Sequence, residues 1–347
     1  MTDSRDSPQQ PTFARMLMRY PISTSLVCGI FAVLTSSFLL SACASREAQD
    51  PYGIDAGEWL IAYNVLVDEA ADDYDVFVMN LDGSDAKNIS QHPGVDWVYV
   101  GRGQDLYVVS DRDTSHRTFF LYRMKADGSR MKRLYERPVA DACPAISSNG
   151  DQLIISTWLG DGTPALLRID TSGRELDTLL ATDAFAFGSA VFAPLDSGIV
   201  FRSEESGLDE LWYMPANGAW RTRWSNYPSN DASLDDPIYH TGPPRWDTAH
   251  QWVSYMSHQN GEYDIHLMTA TGTWIQRLTP LGFDERWHDW SYDGHWLAYD
   301  GTPLPSDTTT VNYDIYLFDV KLKNRPAVRL TQDSRAELAP VFVRARP

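Results

Sequence analysis

Tyr74-Asp75-Val76-Phe77-Val78-Met79 is a run of alternating apolar residues headed by Tyr-Asp, and versions of it return along the chain. The later copies cover residues 119–124, 165–169, 210–214, 263–268 and 313–318, with starts 45 to 53 residues apart. Alternation of this kind marks a half-buried strand. A strand repeat with this period points to propeller blades of four strands each. The flanks of each copy recur as well. An apolar strand precedes it, at 59–63, 106–109, 153–157, 199–201, 252–256 and 296–299. A tight turn follows it: Asp82-Gly83, Asp127-Gly128, Ser172-Gly173, Asn217-Gly218 or Thr271-Gly272, with a longer corner at residues 321–324. The Asp-Gly and Asn-Gly pairs suit hairpin corners in which both residues take positive φ. A short outer strand comes next, as at 87–90, 132–135, 275–279 and 328–331.

A fourth kind of strand leads each unit, at 97–100, 144–147, 190–193, 244–247, 287–291 and 340–343. The last of these decides the architecture. The first unit opens at Glu58 with its second strand, and its missing first strand is supplied by Ala339-Pro340-Val341-Phe342-Val343 at the far end of the chain. An open blade leaves a bare sheet edge, so a propeller must close. The fold expected is therefore all-β: a six-bladed β-propeller over residues 57–347, closed by pairing of the C-terminal strand with the first blade.

The fragments Ser291-Tyr292-Asp293-Gly294, Ser147-Ser148-Asn149-Gly150, Ser110-Asp111-Arg112-Asp113 and Tyr313-Asp314-Ile315-Tyr316 resemble the repeat of TolB-type propellers. In that repeat a Ser-Pro-Asp-Gly turn leads into an apolar strand, then Ser-Asp-Arg-Asp, then Tyr-Asp-Ile-Tyr. The resemblance runs from Gly57 to Val343. No copy here keeps the proline of the turn, and the third and fourth copies lack Tyr-Asp. No counterpart of the amino-terminal domain of TolB is expected.

Residues 1–20 are polar and include Arg15 and Arg19, and a mostly apolar run from Ile22 to Leu40 follows. It ends in Leu40-Ser41-Ala42-Cys43, which resembles the lipobox of bacterial lipoproteins. That resemblance implies a signal peptide over 1–42, lipidation of Cys43 and a tether over 43–56. An uncleaved membrane anchor or an ordinary secretory signal would share the apolar run. Ala44, rather than Asp, after the cysteine implies the outer membrane, with the propeller facing the periplasm.

The chain has 347 residues, of which 43% are hydrophobic and 12% aromatic, and a formal net charge of −18. Such a surface repels phosphate backbones, so no nucleic-acid partner is expected. The partners expected are the membrane, through the lipid, and an envelope protein or peptide, with the chain a monomer.

Ligands of propellers usually sit where loops converge at the channel mouth. Resemblance to TolB-like proteins places acidic residues just ahead of the first strands at that mouth. Here these are Asp96, Asp141, Asp236, Asp284, Glu285 and Glu337. Such a ring could hold a basic peptide or a divalent cation in the channel; alternatively each acid caps a turn within its blade. Six of the eight histidines lie between His240 and His295. His240, Arg245 and His288 could frame a metal for hydrolase or lyase chemistry on envelope polysaccharide or peptide, although no metal-ligand motif is present. Cys143 has no basic neighbour in sequence to activate it and reads as a small channel residue. With no nucleophile elbow, phosphate loop or dinucleotide fingerprint, the expectation is a binding or scaffolding module rather than an enzyme.

Overall fold

The alternating segments form strands because each has one face to bury and no long helical stripe competes with it. The computed structural model describes residues 58–225, 241–259, 262–279, 282–304, 312–321 and 326–345. Among these residues the strands assemble into six four-stranded antiparallel sheets, and no helix is long and apolar enough to cross a membrane. The sequence regions 1–42 and 43–56, Cys43, Asp236 and His240 lie outside the described residues.

In each sheet the strands run outward in order from an innermost one. The innermost strands are Glu337–Arg344, Asp96–Arg102, Ala145–Ile146, Phe187–Phe192, Thr241–Asp247 and Phe283–Trp290, for blades one to six in turn. The second strand of blade one, Trp59–Asp68, lies between Asp73–Asn80 and the C-terminal Glu337–Arg344, with Leu60 opposite Val343 and Val65 opposite Glu337. The ring closes as the repeat count requires. Val341 and Val343 are fully buried there, which makes the closure an apolar seam as well as a ladder.

The core is divided into six apolar clusters, each filling the gap between neighbouring blades. Blade six meets blade one through Trp296, Ile315 and Leu317 against Ile61, Tyr63 and Met79. The glycine corners serve the same packing. Gly173 takes φ 91°, and a Cβ there would lie 1.8 Å from the Leu134 carbonyl oxygen of the preceding blade. Gly128 stands in the same way against Ile89. The corners differ from the expected form in that only the glycine is left-handed; Asp82 and Asp127 are not among the positive-φ residues. Gly83 and Gly128 donate to the carbonyls three residues back, so each corner is a three-residue turn ending on a left-handed glycine.

Five of the six innermost strands carry a β-bulge, at Tyr99, Ser189-Ala190, Pro243-Pro244, Arg286-Trp287 and Ala339-Pro340. Proline is tolerated at such points because no ladder N–H is needed. Bulging leaves other N–H groups unpaired, and second-strand side chains satisfy them. Asp300 accepts from Trp287 in its own blade and from Ala339 in the next, at 3.0 and 2.7 Å. Asn64 accepts from Val98 of the next blade at 2.7 Å and donates to the Leu338 carbonyl at 3.3 Å. The bulges re-aim side chains toward the axis, which sets the geometry of the site.

Candidate functional site

Where the innermost strands begin, on what we call the upper face, they surround a cavity of about 390 Å³. Its wall is aromatic: Tyr74, Trp97, Tyr99, Trp287 and Phe187. Tyr99 and Trp287 come from bulges, and their rings lie 5.7 Å apart, with Trp97 5.1 Å from Tyr74 and 6.4 Å from Trp287. The exposed carboxylate at the rim is Asp141, 44% accessible at its side chain. It accepts from the Tyr99 hydroxyl at 2.6 Å and stands 3.7 Å from Arg117, which is itself held bidentately by Asp72. Arg202, also on the wall, pairs with Asp209 at 2.8 Å.

The cavity does not continue as an open bore. Arg245, from blade five, lies buried across the axis. Its guanidinium donates to the Tyr99 carbonyl in blade two at 3.1 Å and to the His288 carbonyl in blade six at 3.0 Å. It also stands 3.5 Å from the Cys143 sulfur in blade three and 3.9 Å from the Asp289 carboxylate. Asp289 in turn accepts from the Phe342 amide of blade one at 2.9 Å. One arginine therefore ties five blades together at the centre. Burial raises the Asp289 carboxyl to about 6, with Arg245 opposing the shift. Burial also raises the Cys143 thiol, so no reactive thiolate is presented.

Of the acidic residues expected at the mouth, the structure brings only Asp141 to the cavity wall among the described residues. Asp96 is fully buried in a salt bridge with Arg112 at 2.5 Å. Asp284 is enclosed by Arg286, the Tyr263 amide and the Tyr313 hydroxyl. Glu285 and Glu337 act between blades. Thr279, in the tail of blade five, accepts from the Ile265 amide and donates to Glu285 at 3.3 Å; Thr331 accepts likewise from Ile315 and bonds Glu337. Burial raises Glu285 to about 8, helped by Asp264, and Glu337 to about 7, helped by Asp333. These acids begin the innermost strands, whereas Asp141 lies four residues ahead of Ala145–Ile146, on a loop. That offset carries Asp141 into solvent and the others into blade gaps.

His288 is 1% exposed, with Nε2 2.7 Å from the Ser254 hydroxyl and Nδ1 3.3 Å from the Arg286 carbonyl. Burial and then Arg245 lower it to about 3, so it is neutral and both ring nitrogens are engaged. Among the described residues no group of three or more His, Cys, Asp or Glu is placed to hold a metal ion. The aromatic wall escaped the sequence reading. Trp97 and Trp287 were visible as residues beside strand-initial acids, but the bulges that turn Tyr99 and Trp287 inward leave no trace in the alternation.

No protein-family model matches the sequence, and no curated protein matches it significantly. Solved structures share its fold. TolB from Acinetobacter baumannii is 15% identical over 82% of this chain, with a TM-score of 0.63, and the chain spans 66% of that protein. The putative TolB from Agrobacterium tumefaciens is 13% identical over 79% of this chain and 88% of its own, with a TM-score of 0.56. A chain of the nidogen/laminin complex is 10% identical over 84% of this chain and all of its own, with a TM-score of 0.56. In fold, this chain is a TolB-like six-bladed β-propeller.

Proposed function

We propose that the chain is an envelope-anchored bacterial lipoprotein, attached through Cys43, whose propeller binds a protein or peptide partner at the upper mouth. The observation that carries this reading is the upper cavity: aromatic on several sides, bearing one exposed carboxylate, and sealed beneath by Arg245. Its volume of about 390 Å³ falls in the range of ligand pockets. Rings facing a cavity favour a cationic side chain; the wall arginines Arg117 and Arg202 are neutralised by Asp72 and Asp209, which leaves Asp141, 3.7 Å from Arg117, to supply the counter-charge. The fold it shares with TolB supports a binding or scaffolding role without naming the partner.

The test is tryptophan fluorescence of the full chain titrated with arginine-containing peptides and their citrulline counterparts. Saturable change with arginine only, lost in Asp141→Asn and in Trp287→Ala, is expected. Equal response to both peptides, or none to either, would reject the cationic ligand. The alternative, a metal-dependent lyase or hydrolase, needs His240 and His288 to share a metal. The engaged imidazole of His288 argues against it. Stoichiometric transition metal lost on His288→Ala would restore it.

A further inference from the structure

The two oxygens of Asp141 are not alike. Oδ1 accepts from the Tyr99 hydroxyl at 2.6 Å. Oδ2 faces Nη1 of Arg117 at 3.7 Å, too far for a hydrogen bond. The cause of that gap lies on the other side of the guanidinium. Its Nε and Nη2 donate to the two oxygens of Asp72 at 2.6 Å each. Asp72 lies in the hairpin between the second and third strands of blade one, Arg117 in the matching hairpin of blade two, and Asp141 ahead of the first strand of blade three. One guanidinium therefore stands between acids of two other blades, bonded to the first and held short of the second.

The backbone is built around the same arrangement. Arg117 takes φ 59° and Asp72 φ 53°, a left-handed region that residues other than glycine rarely adopt and that collects at ligand clamps. The Arg117 amide donates to the buried Asp111 at 2.9 Å, and Asp111 also accepts from the Val95 amide at 2.8 Å. Asp111 thus fixes where Arg117 leaves the backbone, while Asp72, which His116 also meets at 3.0 Å, fixes where its guanidinium points. The Arg117 and Asp72 side chains are 45% and 37% exposed, so as a tie between blades the pair contributes little. Its larger consequence is where it puts the positive charge.

We propose that Arg117 is a specificity gate at the upper mouth and that Asp72 holds the gate open. A cationic side chain entering the cavity competes with Arg117 for Asp141 Oδ2, and the Asp72 clamp keeps that oxygen available. Asp72 acts through Arg117 and is a positioning residue. With its second oxygen free and its first fixed by Tyr99, Asp141 presents one acceptor in a set direction, which suits a single ammonium or guanidinium group. The proposal rests on the reading of the upper mouth as a site for a cation.

The test titrates the full chain with the tripeptide Gly-Arg-Gly, with Gly-citrulline-Gly as the neutral control, at physiological salt, where charges more than about 8 Å apart are largely screened. Arg117→Gln should bind Gly-Arg-Gly roughly threefold more tightly than the wild type, and Asp72→Asn roughly threefold more weakly. The chain carrying both changes should bind as tightly as Arg117→Gln, because without the arginine Asp72 has nothing to hold. A double variant at the wild-type value would reduce the two residues to distant charges whose effects cancel, and would overturn the proposal. Arg117→Gln binding no more tightly than the wild type, while Asp141→Asn loses binding, would also overturn it and leave the cation reading standing. A second measurement needs no peptide. The crystal structure of Asp72→Asn should show the Arg117 guanidinium within about 3 Å of Asp141 Oδ2; a guanidinium still held off would refute the gate. A wild type that ignores Gly-Arg-Gly rejects the cation reading, and the Asp72→Asn structure then still decides whether Asp72 restrains Arg117.

Discussion

Replacing Arg245 by Leu tests whether the ring is held at its axis by one side chain. The change removes charge-assisted bonds to the Tyr99 and His288 carbonyls and leaves Asp289 in place with its Phe342 partner. Bonds from charged groups contribute about 1.5–3 kcal/mol each, and breaking a buried ionic contact costs about 3–5 kcal/mol. Leucine recovers part of this by burying apolar surface. A net loss of about 3–5 kcal/mol is expected, which at about 2–4 °C per kcal/mol corresponds to a melting temperature lower by about 10 °C. Adding Asp289→Asn should recover part of the loss, because without Arg245 burial drives the Asp289 carboxyl further up and it must take a proton to stay buried, which an amide need not do. A second readout is chemical: Cys143, now shielded by the guanidinium, should react faster with thiol reagents in the mutant. If Arg245→Leu melts with the wild type and Cys143 stays inert, the arginine is not the pin of the ring.

Other predictions follow from the buried acids, the closing strand and the anchor. Glu285 and Glu337 carry folded pKa values of about 8 and about 7, while in the unfolded chain a glutamate titrates near about 4.3. The folded chain keeps these protons where the unfolded chain releases them, so stability should fall as pH rises from about 4.5 toward 8. Glu285→Gln should flatten that slope and gain a few kcal/mol at pH 8 relative to wild type; urea titrations at pH 5 and 8 that run parallel for the two proteins would contradict this. Truncation after Ala336 removes the buried Ala339, Val341, Phe342 and Val343. At about 1.5–3 kcal/mol for each larger side chain this takes about 5 kcal/mol, a large share of a domain's net stability; an unchanged melting temperature would refute the closure. Cys43→Ala should abolish incorporation of labelled palmitate, and persisting label would rule out lipidation at that residue.

Much of the fold was legible because its rules are local. Strand alternation, glycine corners and a period near 45 to 53 residues are written in the order of residues, and ring closure follows from a surplus strand at one end and a deficit at the other. The site was less legible. The acids expected at the mouth share one place in the repeat, yet only Asp141 reaches the cavity wall among the described residues. The loop ahead of Ala145–Ile146 is longer, whereas Asp96, Glu285 and Glu337 lie within their strands and turn into blade gaps.

By itself, then, the order of residues determined the number of blades, the identity of the closing strand and the resemblance of residues 40–43 to a lipobox. The tertiary structure alone decided that Arg245 spans the axis, that Tyr99 and Trp287 line the upper cavity, and that Arg117 stands between Asp72 and Asp141. The physical reason is that periodicity reports which side of a strand a residue occupies. Bulges that shift register, and contacts between residues 102 or 146 positions apart, exist only once the ring has closed.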